Sequence, residues 1–123
     1  MTEVCGLPGG LVANPPVVDE SRRVVVAYDS GNGRVTGFDL DTLAVRWQRE
    51  QDHGSHLVLY EATGELVTGD GDDVVVLDIA SGAELARAPS GHGIQSVLFP
   101  TPGLDGDVYV CSFMGISRVR STA

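Results

Sequence analysis

Two short runs of this chain end alike, 39 residues apart: Val35-Thr36-Gly37-Phe38-Asp39 and Val74-Val75-Val76-Leu77-Asp78. A second pair keeps the same spacing. His53-Gly54 stands ahead of Val58-Leu59-Tyr60, and His92-Gly93 stands ahead of Val97-Leu98-Phe99. A repeat of about 40 residues is one small supersecondary unit, too small to bury its own apolar face alone. Copies must therefore pack on one another, and the spacing limits how.

Three units overlay, covering roughly residues 10–50, 51–89 and 90–123. In the first, strands are expected at 16–18, 23–28, 34–39 and 44–49, with a hairpin at 30–33 whose Ser30-Gly31-Asn32-Gly33 tolerates positive φ. In the second, strands are expected at 57–60, 65–68, 73–78 and 83–88, with a hairpin at 69–72 of the I′ kind. The third offers 94–99, 107–111 and 116–119, and no fourth strand. Val24-Val25-Val26 and Val74-Val75-Val76-Leu77 are continuous apolar runs. A sheet with one wet face would alternate, so these strands are expected to be covered on both faces. The fourth strand of unit one does alternate, with Val45 and Trp47 on one side and Ala44, Arg46 and Gln48 on the other, as an outermost strand should. The pattern predicts an all-β, antiparallel β-propeller segment of three blades, the last without its outer strand. Val25, Val75 and Val110 are expected between blades.

The stretch from Val26 to Asp39, with Asp29-Ser30-Gly31-Asn32 followed by Arg34 and Phe38-Asp39, resembles the NHL-type propeller repeat, with Tyr28 as an insertion. Unit two, with Leu77-Asp78 where a WD repeat has Trp-Asp, and Gly91-His92 are similar to WD-repeat and pyrroloquinoline-quinone-type repeats. The resemblance implies a ring of four-stranded blades.

Such rings have about four to eight blades, so three do not close one. The missing blades are expected either from a longer chain or from self-association of copies into a closed ring. In the second case Thr2 to Cys5 of one copy would complete unit three of the other, and an open face of blade one carrying Val24 and Val26 would be buried by the same contact. A binding or interaction scaffold for a protein or peptide is the leading function. The alternative is part of a propeller-type enzyme whose channel-mouth site is completed by blades absent from this chain.

Charge narrows the partners. Asp and Glu number 17 against 8 basic residues, all of them Arg, for a formal net charge of −9. A net negative surface repels phosphate backbones and acidic leaflets, so neither nucleic acid nor membrane is expected as a partner. Cys5 and Cys111 share no metal or redox spacing and suit reduced thiols. With no leader-like apolar run, the chain is expected to be soluble and cytoplasmic.

Few residues suggest chemistry. His53 and His92 occupy equivalent places before successive inner strands, and with His56 they are the candidates for a channel-mouth metal site. A shared turn-packing role explains the equivalence without a ligand, so no metal is expected. Asp70-Gly71-Asp72-Asp73 lacks the later Glu of a calcium loop, since Ser81 stands at the twelfth place. Asp39 and Asp78 are expected to bond turn amides. Neither a nucleophile motif nor a dinucleotide loop is present, so no catalytic residue and no cofactor are expected.

Overall fold

The computed structural model describes residues 4, 6–10, 15–51, 57–89, 99–102, 107–112 and 115–119. These residues form three antiparallel sheets. The first contains β1 (Val17–Asp19), β2 (Val24–Asp29), β3 (Arg34–Asp39) and β4 (Val45–Glu50), paired in that order. The second contains β5 (Leu57–Tyr60), β6 (Glu65–Asp70), β7 (Asp73–Asp78) and β8 (Glu84–Pro89), again in chain order. The third pairs β9 (Phe99–Pro102), β10 (Val108–Ser112) and β11 (Gly115–Val119). β1 touches β5 and β5 touches β9, so the first strands line the inside and the blades succeed one another around it. Among the described residues, no helix is long and apolar enough to cross a membrane.

Strand register decides which side chains meet the next blade. Val24 lies opposite Asp39, Val26 opposite Gly37 and Tyr28 opposite Val35, and residues directly paired share a face. That face of blade one, with Trp47 from β4, joins Leu66, Val75, Leu77 and Ile79 of blade two in one buried cluster. Val24 and Val26 are therefore not on an open face; blade two covers them completely. Val75 is fully buried at the same seam. Val25 projects the other way and is only half-buried, because alternation along β2 leaves it outside the seam. The side chain of Val110 lies outside the described residues. On the far side of blade two, Val67 and Val74 form a smaller cluster with Val58, Tyr60 and Val76. The Tyr60 hydroxyl donates to the carbonyl of Asp107, 2.7 Å away, and so reaches the third blade.

Turn chemistry explains where the strands end. The first hairpin spans residues 30–33, and Gly33 takes φ +62°. In the second, Gly69 and Asp70 continue β6, paired with Val74 and Asp73. Only Gly71 and Asp72 turn the chain. Gly71 alone has positive φ, at +60°, the arrangement of a II′ turn with glycine first, not I′. The third-to-fourth-strand turn is built alike in both blades. Leu43 N–H bonds the Asp39 carbonyl and Gly82 N–H the Asp78 carbonyl, while Asp39 and Asp78 N–H reach Ala44 and Ala83. These bonds delay β4 and β8 by one residue relative to the sequence pattern. β9 begins at Phe99, the last residue of the expected 94–99 strand, and residues 94–98 lie outside the described set. Its Pro100 and Pro102 are tolerable because β9 is an edge strand of its sheet.

Candidate functional site

The seam between blades one and two has two rims, and they differ. At one rim the β1–β2 turn crosses to blade two. Asp19, almost fully buried, accepts hydrogen bonds from the Ser21 hydroxyl (2.9 Å), Arg22 N–H (3.1 Å) and Arg22 Nη1 (2.9 Å). The same Nη1 donates to the Glu61 carbonyl at 2.9 Å. The guanidinium lies against Gly64, where a Cβ would come within 2.5 Å of Arg22 Nε. Burial pushes the Asp19 carboxyl up, but the donors from Arg22 and Ser21 together outweigh it and hold it below the ordinary value. This rim is a closed clamp.

At the outer edge Trp47 spans the seam. Its Nε1–H donates to the Ile79 carbonyl at 2.8 Å. The ring lies between Gly37 of its own sheet and Gly82 of blade two; a Cβ on either would fall within 2.5 Å of ring atoms. Next along β4, Arg49 reaches Glu84 (3.3 Å) and Asp70 (4.0 Å) across the seam. Arg87 holds Asp70, Asp73 and Glu84 at 2.8–2.9 Å. The carboxylates Glu84, Asp70 and Asp73, in that order of effect, raise the Arg87 guanidinium above its ordinary value, and Arg87 in turn lowers Glu84.

The second rim is open. The tip of the β2–β3 hairpin, the end of β4 and the end of β6 surround a cleft of about 380 Å³ lined by Asn32, Gly33, Arg34, Glu50, Gln51 and Asp70. Gln51 N–H bonds the Gly33 carbonyl at 2.9 Å and prolongs the β3–β4 ladder to the rim. The Gln51 side chain turns into the seam, only 4% exposed, and its Nε2 donates to Thr68 Oγ1 of blade two at 2.9 Å. Its Oε1 is buried without a hydrogen-bond partner among the described residues. Asn32 Nδ2 is engaged by Asp29 Oδ2 (2.7 Å) and the Pro8 carbonyl (3.2 Å), which pins the hairpin tip. Asp70 is held by Arg87. Arg34 and Glu50 are paired across β3 and β4, and among the described residues neither side chain makes a hydrogen bond or ion pair.

The turn carboxylates are structural in kind. Asp39 Oδ1 accepts from Asp41 N–H (2.9 Å) and Thr42 N–H (3.0 Å), bonds that lower its pKa. Asp78 Oδ2 accepts from the Ser81 hydroxyl at 2.7 Å. Among the described residues no group of three or more His, Cys, Asp or Glu is placed to hold a metal ion. His53, His56 and His92 lie outside the described residues, as does the Cys5 position. Sequence reasoning passed over Gln51 and Glu50. The available signal was alternation: Trp47, Arg49 and Gln51 follow one another at every second place along the strand that faces blade two.

Blades stacked through an apolar seam, with short turns gathered at two rims, define a β-propeller segment. The sequence agrees: a family profile described as outer membrane protein assembly factor BamB matches residues 7–122, and the chain belongs to that family. Among individually curated proteins none matches significantly. Solved structures give the same fold. BamB from Moraxella catarrhalis is 20% identical over 85% of this chain and 32% of that one, with a TM-score of 0.68. The WD40 domain of SCAP from fission yeast is 11% identical over 89% of this chain and 33% of that one, at 0.57. A complex of the fission yeast SREBP–SCAP binding domains gives 12% identity over 96% and 35%, at 0.62. The chain thus spans about a third of the length of each of these three structures.

Proposed function

We propose that this propeller segment binds a protein or peptide partner, and that the open rim between blades one and two is part of the gripping surface. The observation that carries this reading is the contrast within one seam. The fold ties Asp19 and Arg22 Nη1 together and to the backbone of blade two at one rim. At the other it leaves the exposed side chains of Arg34 and Glu50 without partners among the described residues, beside a concavity. Polar groups that stabilise nothing internally are available to a ligand. The relatives support the reading in kind: one solved neighbour is a complex of SREBP–SCAP binding domains, and the family description is of an assembly factor.

The test is a display selection of random peptides on the immobilised full chain, followed by rebinding to an Arg34→Ala/Glu50→Gln variant. Peptides that lose binding to the variant support the reading. Selected peptides that bind the variant unchanged, or no enrichment at all, contradict it.

A further inference from the structure

We infer that the outer face of blade three takes the outer face of blade one of a second copy, so that two chains close a ring of six blades. Each blade carries a hairpin between its second and third strands, and the pair that closes it fixes equivalent positions: Asp29 with Arg34, Asp70 with Asp73, Ser112 with Gly115. Three places before the first partner stand Val26, Val67 and Tyr109; one place after the second stand Val35, Val74 and Ile116. Val26 and Val35 lie in the seam between blades one and two, and Val67 and Val74 in the cluster on the far side of blade two. These positions form the face that a blade turns toward its successor. Val35 and Val74 are 0% and 3% exposed, whereas Ile116 is 75% exposed; Val26 and Val67 are buried, whereas Tyr109 is 42% exposed. Blade three keeps large apolar residues where its predecessors are covered.

The first seam shows what covers such a face. Its receiving side is a row of paired residues across blade two, Leu59, Leu66, Leu77 and Glu84, with Leu66 and Leu77 fully buried. The equivalent row of blade one is Val18, Val25, Phe38 and Val45. It is apolar along its whole length and faces away from blade two. Its ends, Val18 and Val45, are exposed, Val25 is half-buried, and only Phe38 in the middle is buried. One chain thus carries an offering face at blade three and a receiving face at blade one, of the kind already matched inside it. Its own two ends do not meet, because rings have about four to eight blades. A second copy presents both missing halves. The contact is heterologous, blade three on blade one twice over, and closes because each copy supplies half the ring. Removal of the two apolar faces from water drives it.

Sedimentation of the full chain, from micromolar to millimolar concentration, is expected to show twice the 12.9 kDa of one copy and no larger species. Copies with a net charge of −9 repel each other, so added salt should tighten the dimer several-fold, the reverse of an ionic contact. Ile116→Asp and Val45→Asp should each raise the dissociation constant about a hundredfold. Both side chains are exposed in the single copy, so folding is kept and circular dichroism should be unchanged. Leu85→Asp, at an exposed apolar residue of β8 in blade two, should alter nothing. Mixing is the decisive arm. Ile116→Asp retains the face of blade one and Val45→Asp that of blade three, so the two variants together should recover a weaker dimer with one intact seam. A monomer throughout the range overturns the inference. Chains that lengthen with concentration, or equal loss on Leu85→Asp, do the same. Dimers untouched by Val45→Asp, or no recovery on mixing, would mean that blade three does not meet blade one, and also overturn it.

Discussion

The two rims of one seam show how a repeated scaffold divides its polar groups. At the clamp rim, Asp19 accepts three hydrogen bonds and Arg22 reaches the backbone of the next blade. At the cleft rim, one buried bond from Gln51 to Thr68 ties the blades, and the side chains of Arg34 and Glu50 make no bond among the described residues. Between them lies an apolar wall from Val24 to Ile79. Stability resides in the wall and the clamp.

The strongest way to break the comparison is to destroy the wall that both rims share. Val75→Asp places an unpaired carboxylate where nothing is exposed, and should cost about 4 kcal/mol in urea unfolding. A melting curve close to that of the parent would show that the wall does not hold the blades. Trp47→Ala removes the ring between Gly37 and Gly82 and its bond to Ile79. A loss of about 3 kcal/mol is expected. Unit two makes the contrast sharper: Val76 and Ala86, a directly paired couple, stand at the places that Gly37 and Trp47 occupy in unit one. Among the described residues Ala86 is exposed and offers no such keystone, and Ala86→Gly should cost well under half as much.

The clamp rim predicts a pH dependence. The Asp19 pKa is depressed below its ordinary 3.8 in the folded state. Its contribution is therefore complete above that value and lost as pH falls through the folded pKa. Asp19→Asn should cost about 2 kcal/mol at neutral pH, with the gap to the parent narrowing as acid protonates Asp19. A gap unchanged down to pH 2 would mean that the carboxylate is not the source. The smallest effect is at the strand turn. Leu43 has φ +60° where the equivalent Gly82 has +75°. A left-handed conformation is unfavourable for Leu and free for Gly, so Leu43→Gly should stabilise by about 0.5 kcal/mol, read as a small rise in Tm.

Much of the fold was legible because its signals are local. The 39-residue spacing, the valine runs and the Gly/Asp turns each specify a strand or a turn without tertiary context. Which valines meet the next blade was not legible. Val24 and Val26 are separated from Val25 by register alone, and register is set when β2 pairs with β3. The II′ turn at Gly71 escaped for a related reason: two extra ladder pairs, Gly69 with Val74 and Asp70 with Asp73, decide where the turn starts. The cleft was least legible. Asn32 and Arg34 lie in one hairpin, Glu50 and Gln51 at the end of another strand, and Asp70 in the next repeat; only packing of blade on blade brings them together.

The most direct test of the division between the rims is to follow backbone amides by NMR while a peptide selected by display is added to the full chain. The account predicts shifts that saturate at residues 32–34, 50–51 and 70, with residues 19–23 unmoved. Shifts at the Asp19–Arg22 clamp or along β8, with the cleft amides still, would contradict it.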